Sequence, residues 1–194
     1  MDGTDLTGRL LVAAPALEDP HFRRTVVLVV DDDAEGALGV VVNRPSRLPV
    51  AEVLADWGGF ASDPPVMFAG GPVGEGAGLA LGVPGGAEEP LGWRPLESPA
   101  DGPPAPEGLG VIDLDAPPQI LGGALGRFRV FAGYAGWSEG QLGAEIEEGA
   151  WYVLPALAED VFSADPGTLW ARVLRRQGGD LALVATLPDD PELN

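Results

Sequence analysis

Two neighbouring side chains in this sequence could together recognise a charged ligand: Asn43 offers an amide, and Arg44 a planar guanidinium that forks onto an anion or carboxylate. Further on, Gly136, Trp137, Gln141 and Glu145 stand close enough to supply an indole wall, an amide and a carboxylate. Between these groups, Gly70 and Gly71 would let backbone approach a ligand closely. One reading is a noncatalytic binding or regulatory module built by Asn43, Arg44, the Gly70-Gly71 turn and the Trp137 region. Another is an enzyme in which Glu145, Asp19 or Asp113 works with Arg44, since carboxylates serve as general acids and bases when their surroundings shift them. Each residue also has a structural reading: the glycines make turns, Trp137 anchors core and Gln141 caps its helix.

The rest of the chemical inventory is short. There is no Cys, His21 is the single histidine, and all 11 basic residues are arginine. That removes thiolate nucleophiles, Schiff-base and P-loop lysines, zinc fingers and multi-histidine metal sites. Asp31, Asp33, Glu35 and Gly36 imitate the opening of a calcium loop, but Val42 stands where the bidentate Glu is required. An acidic hairpin turn is expected there, and neither a metal nor a cofactor is expected anywhere. A formal charge of −19 opposes direct nucleic-acid binding, which draws its affinity from cations on phosphates. Arg172, Arg175 and Arg176 are read as cations offsetting a helix dipole. The partner is therefore expected to be an unidentified protein or small molecule. No apolar run approaches the roughly 20 residues of a membrane helix, and residues 1–10 lack a signal-peptide pattern, so a cytoplasmic protein is expected.

These side chains need a scaffold. Residues 128–131 read as a short apolar strand ending at a turn bracketed by Gly133 and Gly136. Ser138 follows as N-cap with Gln141 in a capping box, Leu142 and Ile146 form one helix face, and Gly149 stops the helix. Residues 151–154 then form a buried strand ended by Pro155, completing a strand–helix–strand unit. Upstream, strands are expected at 8–14, 25–30, 37–43, 66–69, 77–83 and 109–114, with a helix over 49–57 that turns Val50, Val53, Leu54 and Trp57 inward. Asp115 should cap a short helix with Ile120, Leu121 and Leu125 facing the core. Leu169, Trp170, Val173 and Leu174 make an amphipathic stripe after the Asp165-Pro166 pair, and residues 181–187 read as a last strand. Length and composition suit one domain over 1–194, with a Pro/Gly-rich surface loop at 85–108 and a frayed tail at 188–194.

Four blocks, LLVAAPALEDPHFRRTVVLVV, EGALGVVVNRP, FAGGPV and GYAGWSEGQLGAEIEEGAWYV, resemble the AlgH/YqgE family of bacterial proteins in order and separation. The resemblance covers most of the chain, and the last block is its most specific part. It implies an α+β fold in which a bifurcated, partly barrel-like mixed β-sheet is surrounded by short helices. It implies no established enzymatic activity, and the family's label as a transcriptional regulator comes from part of the family only. His21 departs from a position that is more often aromatic in the family.

Overall fold

The computed structural model describes residues 5–99 and 102–188. Among the described residues the strands are β1 (Arg9–Ala13), β2 (Val26–Asp33), β3 (Gly36–Val41), β4 (Pro45–Pro49), β5 (Val66–Ala69), β6 (Val73–Pro84), β7 (Trp93–Pro95), β8 (Gly110–Ile112), β9 (Leu125–Ser138) and β10 (Trp151–Pro155). They join in the order β10-β1-β2-β3-β9-β6-β8-β7, with β5 also on β9 and β4 on β5. All pairs are antiparallel except β5 with β9. The sheet curls into a half-barrel flanked by short helices, an α+β fold.

The sheet forks along β9. Its residues 135–138 pair with β3, while 131–132 pair with β5, and β6 runs along its other edge. Gly70 stitches the branches together: its N–H donates to the Ala132 carbonyl, and its own carbonyl accepts from Val41 N–H, both at 2.8 Å. A side chain at Gly70 or Gly71 would overlap the backbone of residues 133–135, so glycine is required where one branch crosses the other. Gly133 and Gly136 therefore do not bracket a turn. They lie inside a 14-residue strand, and the positive φ of Gly133 (72°) kinks that strand opposite the irregularity in β6 between Val73 and Gly78.

Strands β1 and β2 are buried on both faces, which explains their unbroken apolar runs. Leu10, Val12, Val26 and Leu28 join a core closed by Trp170, Val173 and Leu174. Leu11, Ala13, Val27 and Val29 point the other way, to Trp137, Leu142 and Trp151. A third cluster, with Val50, Trp57, Phe128 and Val130, fills the other branch.

The helices depart more from expectation. Helix α1 (Val50–Val53) is one turn and passes into a 3-10 segment, Ala55–Phe60, so Val50 and Trp57 are buried but Val53 is 49% exposed. Helix α2 (Pro118–Leu121) starts after Pro117 rather than Asp115, and this phase leaves Ile120 72% exposed. Helix α3 is Gln141–Glu147, α4 Ala158–Val161 and α5 Leu169–Gln177. The last element is helix α6 (Gly179–Val184), not a strand. Gly178 and Gly179 at positive φ reverse the chain, and Leu181, Val184 and Ala185 then meet the core at helical spacing. The 85–108 segment also contributes structure, since it supplies β7, buries Leu96, and sends Trp93 Nε1–H to the Gly82 carbonyl at 3.1 Å. The acidic Asp31–Asp33 run belongs to β2, and a two-residue turn leads to Gly36. The expected frayed tail, beyond Pro188, lies outside the described residues. Among the described residues no helix is long and apolar enough to cross a membrane.

Candidate functional site

The Trp137 group and the Arg44 group lie on opposite faces of the sheet. On the first face α3 packs against β9. Its entry uses Gly140 at φ 72°, so Ser138 is not the N-cap. Half of the expected capping box survives: Gln141 Oε1 accepts the Ser138 N–H at 3.1 Å. Gln141 then donates through Nε2 to Glu145 Oε1 (3.0 Å), and Glu145 Oε2 accepts the indole N–H groups of Trp137 (2.9 Å) and Trp151 (2.8 Å). Phe22 stacks on Trp137 and meets Trp151 edge-on. Both indoles are buried, and the carboxylate satisfies the polar edge of each. Glu145 is thus a structural acceptor, and Gly136 is an exposed strand residue beside the Tyr134 ring. Asp19 accepts the His21 N–H and Asp113 the Asp115 N–H, each at a turn of its own. Neither Glu145 nor Asp113 lines the cleft that holds Arg44, whereas Glu18 and Pro20, the neighbours of Asp19, do.

On the other face, Asn43 and Arg44 line a cleft of about 800 Å³, where Arg23, Arg24, Thr168, Trp170 and Arg175 join them. Asn43 builds its floor. The Asn43 side chain accepts from Val26 N–H and donates to the Arg24 carbonyl, both at 2.9 Å, clamping the backbone around Arg24, whose φ of 54° is unusual for a side-chain-bearing residue. The Arg24 guanidinium lies 4.2 Å from the Trp170 ring centroid and donates to the Leu187 and Pro188 carbonyls. Trp170 is itself anchored by Nε1–H to the Ala13 carbonyl at 2.9 Å. Arg44 donates to the Arg23 carbonyl at 2.7 Å. Of the sequence candidates, then, only Asn43 and Arg44 reach the cleft. Gly70 and Gly71 sit at the fork, and Trp137, Gln141 and Glu145 sit across the sheet. Arg23, Arg24 and Thr168 are not singled out by the sequence, and Arg175 reads there only as a cation offsetting a helix dipole. The one sequence signal for the arginines is that paired arginines are scarce in so acidic a chain.

Two further charges are shaped by burial. Arg129 on β9 is 1% exposed, lies over Phe68 and donates to the carbonyls of Val161 (2.8 Å), Ser163 (3.2 Å) and Asp63. Its Nε has no partner, and burial lowers its pKa from the ordinary guanidinium range to about 10, with Asp63 opposing the shift, so it stays cationic at neutral pH. Asp32 moves the other way. Burial raises its carboxyl and neighbouring Asp5, Asp33 and Asp31 add to this, against the hydrogen bond from Leu6 N–H. A carboxyl whose pKa is raised on folding binds its proton more tightly in the native state, so stability is lost as pH rises through its titration. Asp32→Asn should therefore raise the melting temperature at neutral pH, and the gain should shrink as pH falls into the carboxylate range. Thermal scans of both proteins across that range check this.

A small α+β protein, a forked half-barrel with an arginine-lined cleft on one face, is the class that fold and site define. The chain belongs to the AlgH-like family, whose profile matches residues 10–182. A UPF0301 protein of Thermobifida fusca is 64% identical over 195 residues, covering 100% of this chain and 98% of its own. Another, from Streptomyces coelicolor, is 53% identical over 98% of this chain and 96% of its own. The crystal structure of protein DIP2367 from Corynebacterium diphtheriae superposes with a TM-score of 0.85 at 30% identity, covering 94% of this chain and 92% of that one. The solution structure of the AlgH protein from Pseudomonas aeruginosa gives 0.68 at 28% identity, over 97% of each chain.

Proposed function

We propose that this protein is a noncatalytic, cytoplasmic binding module with a regulatory role, and that its small-molecule site is the cleft formed by Asn43, Arg44 and α5. The observation that carries this reading is the cleft itself: about 800 Å³, within the size range of small-molecule sites, with polar groups from separate parts of the chain converging on it. The Glu145 carboxylate, occupied by two indole N–H groups and the Gln141 amide, weighs against an enzyme built on it. Direct DNA binding ranks last, because a net charge of −19 opposes a phosphate backbone.

A bulky residue at the cleft mouth tests this. Gly167 lines the cleft, and a Cβ there meets nothing closer than Asp165 Oδ1 at 3.8 Å, so Gly167→Trp should fold and obstruct the space. The purified protein would be equilibrated with the small-molecule fraction of a bacterial extract, re-isolated and analysed by mass spectrometry for retained compounds. We expect a compound retained by the parent and lost from Gly167→Trp. Retention of nothing, or the same retention by both, would overturn the reading.

A further inference from the structure

We infer that the occupant of this cleft is a small polyanion, a molecule carrying two or more phosphate or carboxylate charges. The inference rests on the cleft being a binding site and adds the chemical class of its ligand. Four of the chain's 11 arginines, Arg23, Arg24, Arg44 and Arg175, line the cleft, whereas Glu18 is the one carboxylate among its described lining residues. Such a concentration of arginine on a protein of charge −19 is not an average property of the chain, and Arg44 and Arg175 are the two on which the inference is built.

Helix α5 shows how selectively these charges are placed. Arg176 is held by Asp160 at 2.6 and 2.7 Å and reaches the Pro155 carbonyl, and Arg172 is held by Ser163 Oγ and the Asp165 carbonyl. The guanidinium of Arg175, between them in sequence but on the cleft side, makes no hydrogen bond or ion pair with a described residue. The helix dipole favours a cation at this end of α5. It does not account for Arg44, which comes from the connection between β3 and β4 to the same space and commits one of its five N–H donors, to the Arg23 carbonyl. Arg44 and Arg175 thus keep donors in the planar fork geometry that phosphate and carboxylate match, and the Asn43 clamp and Trp170 stack hold the floor between them. A singly charged ion could satisfy one of these forks. Arginines on two walls of the cleft match a molecule with a second charged group better than a singly charged ion.

The test uses the full-length protein, with pyrophosphate and citrate as probes and sodium acetate at matched ionic strength as reference. At a hundredfold excess over Kd, thermal unfolding should shift upward by roughly 5–10 °C with a polyanion and not with acetate. Calorimetric titration should give about tenfold weaker binding for Arg44→Gln and for Arg175→Gln, the loss of one charged hydrogen-bonding group. Arg172→Gln, on the same helix but outside the cleft, should bind as the parent does. A preference for pyrophosphate assigns phosphate chemistry, and a preference for citrate assigns carboxylates. The inference falls if neither polyanion gives a saturable shift, if Arg44→Gln and Arg175→Gln bind like the parent, or if Arg172→Gln is weakened equally. Should the extract experiment return an uncharged compound displaced by Gly167→Trp, the cleft would stand as a site and the polyanion assignment alone would fail.

Discussion

Trp137→Ala should lower stability by about 3–5 kcal/mol, the usual cost of truncating a buried tryptophan, and lower the melting temperature by roughly 10 °C in a chain of this size. The indole is 6% exposed, packs on Phe22 and Trp151, and gives its N–H to Glu145. Truncation removes that packing and one of the three donors that hold the Glu145 carboxylate in place. Trp137→Phe separates the two effects. It keeps an aromatic ring in the cluster but drops the donor, and should cost about 1.5–3 kcal/mol, the range for a hydrogen bond to a charged group. Urea unfolding followed by circular dichroism measures both. Because this cluster lies across the sheet from the arginine cleft, binding in the cleft should be unchanged wherever the variant remains folded. Near-native stability for Trp137→Ala would show that the Glu145 knot does not stabilise the fold.

Arg129→Ala is expected to be as damaging, also by about 3–5 kcal/mol, through a cavity against Phe68 and the loss of a buried charged donor. The carbonyls of Val161, Ser163 and Asp63 all lose that donor, and they tie the segments before β5 and after β10 to the middle of β9. Arg129→Met should be milder, at about 1–3 kcal/mol, because it fills the space of the stem and removes the cost of a buried charge while leaving the carbonyls unpaired. The pH dependence has a definite sign. The folded-state pKa of about 10 lies below the ordinary guanidinium range, so only above about 10 does the native state release a proton that the unfolded chain retains, and there stability should rise with pH on this group's account. The stability gap between parent and Arg129→Met should therefore be flat from roughly pH 5 to 9. An equal loss for Ala and Met would mean that packing against Phe68 contributes little and that the hydrogen bonds dominate.

The elements that the chain spells out locally are those whose burial has a regular period. The apolar runs of β1 and β2, the stripe Leu169, Trp170, Val173 and Leu174, and the strand–helix–strand unit from β9 to β10 are all visible in one dimension, because side chains alternate on a strand and recur every three to four residues on a helix. The same logic fails where one spacing admits two answers. Leu181 and Leu183 look like alternation, yet two glycines at positive φ turn that stretch into α6 and place Leu183 in solvent. Gly133 looks like a turn and is instead a kink within β9, because the strand's partners β3, β5 and β6 come from distant sequence. The candidate residues divide in the same way. That Asn43 and Arg44 could bind an anion follows from their chemistry, and that Glu145 belongs near Trp137 and Trp151 follows from their closeness in sequence. Which face each group occupies is a tertiary matter. The fork at β9 and the packing of α5 carry Arg175 to Arg44, while the sheet keeps Trp137, Gln141 and Glu145 on its other side, since no local pattern records which strand faces will share a solvent-filled space.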